Sequence, residues 1–244
     1  MGLLEGRVAL ITGAARGQGR AHAVRLASEG AAIVATDICA ELSGVPYELG
    51  SMSDLTQTVR SVEAVGGRAV AVQVDVRSQE QLDAAVAAGI ERFGAIDICV
   101  ANAGVISLSP FWEMSEETWA LINDIDLAGV WRTAKAVAPH MIERRSGNIV
   151  MTASINALEP GIDFAHYTAA KHGVIGLMRS VALELAPYSI RCNAVCPGAV
   201  DSKMTDNQFF LDKIAGHPGG TRADLERGGM RYGALPSTGM LVGL

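Results

Sequence analysis

The stretch from Val8 to Gly19, VALITGAARGQG, joins a short apolar run directly to a glycine-rich loop. The run suits a strand buried on both faces, and the loop leads into a helical pattern that begins at Gly17. Glycines here let the backbone turn sharply and approach a pyrophosphate, while the helix N-terminus offers unpaired N–H groups to its charge. Glycine-rich turns also join strands to helices without any ligand, so the loop alone leaves both interpretations open.

The rest of the chain continues the alternation of short apolar runs with longer amphipathic segments. This alternation predicts an α/β fold, a doubly wound parallel sheet flanked by helices, with ligands at the carboxyl ends of the strands. After the strand at 8–11, further strands are predicted at 32–35, 70–74, 96–100, 148–151 and 190–195. Helices are predicted at about 17–29, 53–65, 79–93, 115–142 and 164–186.

Length and composition narrow the class of protein. The 244 residues, 49% of them hydrophobic, supply enough core for one domain, and residues 1–244 are interpreted as a single domain. A net charge of −6 gives no positive field for nucleic acid or anionic lipid. No apolar stretch reaches the ~20 residues that cross a bilayer, so we expect a cytoplasmic protein and no membrane partner. The four cysteines have no CxxC spacing, and no metal site is expected.

Asp37, at the end of the second predicted strand, lies eighteen residues after Gly19. A carboxylate there can accept hydrogen bonds from both ribose hydroxyls of an adenosine, so the loop and Asp37 together predict a dinucleotide site. The carboxylate would repel the 2′-phosphate of NADP and favours NAD. Arg16 beside the loop could meet that phosphate, but it can also turn to solvent, so NAD is the expected cofactor.

Three polar residues follow the fifth predicted strand: Ser154, then Tyr167 and Lys171. Tyr167 and Lys171 are four residues apart and therefore share one face of a helix. An ammonium beside a phenol lowers the tyrosine pKa from about 10 towards the range of an acid or base. Ser154 can hydrogen-bond the same substrate oxygen. The set fits proton exchange with an alcohol while a hydride moves to or from a nicotinamide, although each residue by itself also has a structural interpretation.

These motifs stand in the order and approximate spacing of the short-chain dehydrogenase/reductase family, which the chain resembles over about residues 5–202: Thr-Gly-x-x-x-Gly-x-Gly at 12–19, Asn-Ala-Gly at 102–104, Ser154, Tyr-x-x-x-Lys at 167–171 and Pro197-Gly198. The resemblance implies a Rossmann-like fold in which Tyr167 is the acid/base. It implies that Lys171 tunes Tyr167 and binds the nicotinamide ribose, and that Ser154 orients the substrate oxygen. The implied cofactor contacts are Gly13, Arg16, Gly17, Gln18, Gly19, Asp37, Asp75, Val76, Asn102, Ala103, Gly104, Tyr167, Lys171, Pro197, Gly198, Val200 and Ser202.

A narrower likeness lies in the long link 37–49, in Gly129-Val130-Trp131 and in Pro139-His140-Met141-Ile142. Here the chain is similar to the carveol dehydrogenase-like subfamily of mycobacteria and related actinobacteria. The likeness implies a small apolar alcohol or ketone as substrate and a tightly held NAD. It also implies the redox peptide cofactor mycofactocin as an external electron acceptor. Proteins of the family pair the helices at 115–142 and 164–186, which implies a homo-oligomer, a homotetramer.

The chain departs from the family at Asp126, where relatives usually have an asparagine that anchors a water relay behind the lysine. An aspartate keeps an acceptor, loses the amide donor and should hold Lys171 more firmly protonated. We expect Asp126 to remain functional as an acceptor.

The carboxyl end is the second departure, because residues 235–244 do not resemble the family's seventh strand. Either this tail substitutes for the strand, another subunit covers the sheet edge, or the chain is a truncated or altered product. Residues 203–234 are interpreted as a lid over an apolar substrate, with packing on the domain as the alternative. The apolar residues of this segment are Met204, Phe209, Phe210, Leu211 and Met230.

The sequence therefore predicts an NAD-dependent secondary alcohol dehydrogenase or ketoreductase with a carveol-like substrate. Two alternatives remain open at this point. One is an NADPH-dependent carbonyl or 3-oxoacyl reductase, and the other is a non-catalytic NAD-binding protein, which Asp126 and the unusual carboxyl end make conceivable. His166 and His172 flank Tyr167 and Lys171 in sequence, but adjacent helical residues are turned about 100° apart, so both are interpreted as structural.

Overall fold

In the computed structural model, which describes residues 2–232 and side chains as far as Arg227, six parallel strands form one sheet in the order β3-β2-β1-β4-β5-β6. The strand order reverses between β1 and β4, and such a reversal opens a ligand crevice at the carboxyl ends of the strands. The predicted α/β doubly wound fold is confirmed. The strands are β1 Val8–Thr12, β2 Ala32–Asp37, β3 Arg68–Gln73, β4 Ile98–Ala101, β5 Gly147–Thr152 and β6 Ile190–Val195.

Helices cover both faces of this sheet. Serine side chains cap the start of several of them: Ser51 forms a capping box with Asp54, and the hydroxyl of Ser115 accepts the N–H of Thr118. Within residues 2–232 no helix is both long and apolar enough to cross a membrane. The α-helices are α1 Gly17–Ser28, α2 Met52–Ala64, α3 Gln79–Phe93, α4 Glu116–Asn123, α5 Gly129–Arg144, α6 Ala165–Leu185, α7 Gln208–Ala215 and α8 Arg222–Tyr232.

The predicted single helix at 115–142 is wrong in its continuity. A π-helical turn at Asp124–Ala128 separates α4 from α5. Such a turn adds a residue to the helical repeat and changes the direction in which its side chains point, and it often marks a functional site. Asp126 lies within this turn and is completely buried.

Alternate residues of the central strands supply two cores. Val8 and Leu10 pack on the side of α5 and α6, whereas Ala9 and Ile11 pack on the side of α1 and α2. This agrees with the prediction that the strand at 8–11 is buried on both faces. In β6 buried and exposed residues alternate, and among the described residues only β5 pairs with it. The prediction of an altered last strand concerns residues 235–244, which lie outside the described residues.

A third apolar cluster forms above the carboxyl edge of the sheet. It contains Tyr47 and Leu49 from the link between β2 and α2, residues 38–51, which we call the strap. Phe210 and Leu211 of α7 join the same cluster. The helices α7 and α8 were not predicted from sequence. Asn207 caps the start of α7, since its side chain accepts the N–H of Phe210.

Candidate active site

The glycine loop adopts a backbone that only glycine fits. Gly13 and Gly17 have φ of +67° and +54°. A Cβ on Gly13 would lie 2.8 Å from the Cα of Ala103, and one on Gly19 would lie 2.0 Å from the carbonyl oxygen of Gly13. The cap residue of α1, Arg16, makes no side-chain capping bond, so the first N–H groups of that helix remain available to a phosphate.

Asp37 lies at the end of β2 beside the glycine loop, in the part of the site that is predicted to hold the nucleotide and that we call the nucleotide end. Its Oδ2 accepts the N–H of Ala15 at 2.9 Å, and its Oδ1 accepts the N–H of Cys39 at 3.2 Å. The carboxylate therefore fixes both the glycine loop and the start of the strap. Arg16 does not turn to solvent: its guanidinium lies over the ring of Tyr47, 6.0 Å from the centroid, and the residue is half-buried.

A cleft of about 340 Å³ runs along this edge, a size typical of small-molecule sites. A second cavity of about 70 Å³ adjoins it, and the residues that line both include Gln18, Asn102, Gly104 and Ser202. Of the predicted residues, the larger cleft is also lined by Gly13, Arg16, Gly17, Gly19, Asp37, Asp75, Val76, Ala103 and Ser202. The smaller is also lined by Asp126, Ser154, Tyr167, Lys171, Pro197, Gly198, Val200 and Ser202. The fold thus brings every predicted site residue to two adjoining cavities.

Two of these lining residues, Asp75 and Asn102, also make polar bonds within the protein. Asp75 faces the cleft, but its carboxylate is engaged by Arg77, with Nη2 and Oδ2 2.6 Å apart. Asn102 has a structural bond, since its Nδ2 donates to the carbonyl of Thr12 at 3.0 Å. The hydroxyl oxygen of Thr12 accepts the N–H groups of Asn102 and Ala103 at 3.0 and 3.1 Å, which ties the ends of β1 and β4 together.

The catalytic end is built around a buried ion pair. The Nζ of Lys171 lies 3.1 Å from Oδ2 of Asp126 and donates to the carbonyl of Thr152 at 3.0 Å. The other oxygen of Asp126 accepts the N–H of Val105 at 2.9 Å. Lys171 also lies 5.4 Å from the centroid of the Tyr167 ring. Tyr167, Lys171 and Asp126 are all buried, so these charges act on one another with little screening by water.

These contacts set the ionisation of the site. Burial raises the pKa of Tyr167, the ammonium of Lys171 and the hydroxyl of Ser154 lower it, and the carboxylate of Asp126 raises it again, so the pKa lies above its usual value. The expected lowering by Lys171 is present, but burial outweighs it. For Lys171, burial lowers the pKa, yet Asp126 and Tyr167 raise it by more, which keeps the ammonium charged.

Ser154 occupies the start of a short 3₁₀ turn, Ile155–Ala157, directly after β5. Its Oγ accepts the N–H of Asn156 at 3.2 Å and lines the same cavity as Tyr167 and Lys171. The hydroxyl can therefore face a substrate oxygen that Tyr167 also reaches. This is the placement that the sequence predicts for a residue that orients the substrate.

Known proteins resemble this chain over most of its length. The short chain dehydrogenase family model matches residues 7–210. The chain belongs to the short-chain dehydrogenase family. It is 46% identical to the (−)-trans-carveol dehydrogenase of Rhodococcus erythropolis over 243 residues, which cover 97% of this chain and 86% of that protein. An uncharacterized NAD-dependent oxidoreductase of Mycobacterium tuberculosis is also 46% identical, over 89% of this chain and 80% of its own.

Solved structures of short-chain dehydrogenases agree with this assignment. The crystal structure of carveol dehydrogenase from Mycobacterium avium in complex with NAD has a TM-score of 0.93 at 42% identity, and the match covers 97% of this chain and 86% of that one. A short-chain dehydrogenase from Mycobacterium paratuberculosis bound to NAD has a TM-score of 0.86 at 40% identity over 99% and 88% of the two chains.

This short-chain dehydrogenase also contains polar contacts that the sequence did not reveal. The hydroxyl of Tyr47 accepts the N–H of Ile106 at 2.9 Å and so joins the strap to the segment after β4. His166 is fully buried and hydrogen-bonds Ser107, whereas His172 is exposed and bonds only its own helix. Tyr47 lies in a link that contains glycine and proline, and nothing in its spacing indicates a partner 59 residues away.

Proposed function

We propose that this short-chain dehydrogenase is an NAD-dependent oxidoreductase that interconverts a small, apolar, carveol-like secondary alcohol and its ketone. The observation that carries the proposal is the buried set of Tyr167, Lys171 and Asp126, which adjoins the cleft containing the glycine loop and Asp37. The related proteins named as NAD-dependent or bound to NAD support the choice of cofactor.

The nucleotide end fits NAD on its own geometry. The space beside Gly13 and Gly19 admits no side chain, and the uncapped N-terminus of α1 suits a pyrophosphate. Asp37 can accept from the adenosine ribose and would repel a 2′-phosphate. The second candidate, an NADPH-dependent carbonyl or 3-oxoacyl reductase, is favoured only by Arg16; the ring of Tyr47 already engages that guanidinium.

In this function NAD supplies the acceptor or donor of the hydride when it is bound. Tyr167 exchanges a proton with the substrate oxygen, as a base in alcohol oxidation and as an acid in ketone reduction. The Lys171 ammonium stabilises the phenolate of Tyr167, and Asp126 holds Lys171 charged and in place. Ser154 orients the same oxygen.

The cleft beside Tyr167 is lined by Val105, Ile125 and Met204, and an apolar cluster packs behind it, which favours an apolar substrate. Phe164, Ile106, Phe210 and Leu211 belong to the cluster that contains Tyr167. We propose that residues 203–234, of which the structure describes 203–232, form a lid over this side of the cleft. An ion pair supports that role, because Nζ of Lys213 in α7 lies 2.6 Å from Oδ2 of Asp163, just ahead of the catalytic helix α6.

The strap supports a cofactor that stays bound between turnovers. It covers the cleft through Tyr47. The hydroxyl of Tyr47 accepts the N–H of Ile106, and the guanidinium of Arg16 lies over its ring. A retained NAD must be reoxidised in place, and mycofactocin is the external electron acceptor that we propose for this step. The homotetramer, like the cytoplasmic location, remains a prediction.

The first experiment is to denature purified protein and identify any released nucleotide by mass spectrometry. Native protein is then mixed with a panel of terpene and aliphatic secondary alcohols while the near-ultraviolet absorbance of reduced nicotinamide is followed, with Tyr167→Phe as the control. We expect bound NAD that is reduced in a single turnover by the wild type alone. Turnover only with added NADP(H) would favour the general reductase, and bound NAD that no alcohol reduces would favour the non-catalytic alternative.

A further inference from the structure

The segment 105–109, which follows β4, is held by bonds from separate parts of the chain. Val105 donates its N–H to Oδ1 of Asp126 at 2.9 Å, and Ile106 donates its N–H to the hydroxyl of Tyr47 at 2.9 Å. One bond leads to the ion pair of Lys171 and the other to the strap. These two bonds hold the segment in place, so a residue bonded to it is held in place relative to the ion pair of Lys171.

The helix that carries Tyr167 begins without a side-chain cap. Phe164 occupies the cap position of α6 and makes no side-chain capping bond. The preceding residue, Asp163, has φ of +67°, a left-handed conformation that is unfavourable for residues other than glycine. Tyr167 is only the third residue of α6, within the turn that frays most readily in an uncapped helix. The backbone just ahead of this turn is already bonded to the segment 105–109, because Ser109 donates its N–H to the carbonyl of Asp163 at 3.1 Å. A side-chain bond from within the turn would hold the turn itself.

His166 supplies such a bond. Its side chain is 0% exposed, and its Nε2 lies 2.9 Å from Oγ of Ser107, the residue after Ile106. Burial lowers the pKa of His166 below its usual value, which favours the neutral ring, and a neutral ring suits a bond to a neutral hydroxyl. Both partners are buried, so removal of either one leaves the other without a hydrogen bond and destabilises the folded state.

We propose that His166 is a positioning residue: through its hydrogen bond to Ser107 it holds the first turn of α6, and with it the phenol of Tyr167, against the segment 105–109. The inference rests on the proposed function, because it concerns the same reacting centre. His166 does not touch the substrate in this role; it acts through Tyr167.

The test compares His166→Phe, His166→Gln and Ser107→Ala with the double variant His166→Phe/Ser107→Ala. His172→Phe is the matched control on the exposed face of the same helix. For each protein we would measure kcat as the maximal rate at which the best alcohol of the panel reduces the bound NAD in a single turnover, and KM as the alcohol concentration that gives half of this rate. We would also measure the primary isotope effect with deuterium on the carbinol carbon, and hydrogen exchange of the amides at 164–169. Temperatures well below each variant's Tm keep the comparison to folded protein.

We expect His166→Phe and Ser107→Ala each to lower kcat by about tenfold, the effect of ~1.4 kcal/mol, with KM within threefold and a larger isotope effect. The double variant should be no slower than the slower single variant, because both remove one bond. His166→Gln, which can still reach Ser107, should recover most of kcat, and His172→Phe should match the wild type. Faster amide exchange at 164–169 should accompany each loss of kcat.

Several results would overturn the inference: unchanged kcat in Ser107→Ala, multiplying effects in the double variant, or a change in KM alone. If His166→Phe fails to fold, Ser107→Ala, which removes only a hydroxyl, decides the question. If the wild type holds NAD and reduces no ketone and oxidises no alcohol, the proposed function fails instead. Amide exchange at 164–169 then tests by itself whether the bond between His166 and Ser107 holds the first turn of α6. Unchanged exchange in Ser107→Ala would refute the inference.

Discussion

The two ends of the cleft differ in which groups interact with charge. At the nucleotide end, backbone N–H groups and space near Gly13 and Gly19 face the cofactor, with Asp37 as the main carboxylate. At the catalytic end, Asp126, Tyr167 and Lys171 are buried together within a few ångströms. The nucleotide end suits the cofactor through its shape and its backbone dipoles. At the catalytic end, the buried charges are stabilised mainly by one another.

This difference has a consequence for substitution. A change at the nucleotide end should alter binding of the cofactor, since its groups interact mainly with the ligand and the local backbone. A change at the catalytic end should alter the ionisation of the neighbouring groups, since a buried charge that loses its partner is left uncompensated. The following substitutions test whether the two ends separate in this way.

The largest effect should come from Tyr167→Phe, which removes the proton-exchanging hydroxyl and keeps the ring. General acid–base catalysis contributes typically about 10²–10⁴-fold, so we expect kcat to fall by that order while the bound NAD content is unchanged. Single-turnover reduction of the bound cofactor measures the first quantity, and mass spectrometry of released nucleotide measures the second. Loss of NAD together with activity would show that the two ends are not separable.

At the nucleotide end, Asp37→Ala should weaken NAD binding by about 10–100-fold. Hydrogen bonds to a charged group contribute about 1.5–3 kcal/mol, and every 1.4 kcal/mol corresponds to tenfold in affinity. Calorimetric titration of protein stripped of nucleotide with NAD and with NADP measures the effect, with the exposed Glu63→Gln as a control. The preference for NAD over NADP should fall as well; an unchanged preference would contradict the role given to this carboxylate.

Asp126→Asn should change the pH profile more than the maximal rate. Alcohol oxidation needs the phenolate of Tyr167, so its rate rises with pH, and Asp126 raises the pKa of that phenol. Removing the carboxylate therefore moves the rising limb to lower pH. We expect kcat at the plateau to stay within about tenfold, because asparagine keeps an acceptor oxygen for Val105.

The control for this substitution is Asp124→Asn, two residues earlier, where the carboxylate pairs with Arg132 at the surface. Its pH profile should coincide with that of the wild type. A more than tenfold rise in turnover for Asp126→Asn would mean that the carboxylate inhibits the site rather than serving it.

The smallest effect should come from Tyr47→Phe, which keeps the ring beneath Arg16 and removes the bond to Ile106. One neutral hydrogen bond is worth about 0.5–1.5 kcal/mol, so release of NAD should become about 2–10-fold faster, with kcat for the retained cofactor unchanged. Exchange against isotopically labelled NAD measures the release rate. Tyr188→Phe, another tyrosine under an arginine, should leave it unchanged.

The sequence by itself determined the family and the fold, and the residues of both motifs. The glycine loop is contiguous, and the i, i+4 spacing of Tyr167 and Lys171 implies a shared helix face wherever that helix lies. The burial of apolar strands on both faces follows from their composition. These features depend on local geometry, which a linear pattern records.

Only the tertiary structure decided how charge is distributed. That burial outweighs Lys171 in setting the pKa of Tyr167 depends on elements far apart in sequence, as do the bonds of Tyr47 to Ile106 and of His166 to Ser107. The π-helical turn at Asp124–Ala128 is another such case, since its helical composition does not distinguish it from an α-helix. Desolvation and long-range hydrogen bonds arise when distant segments pack, and no spacing along the chain encodes them.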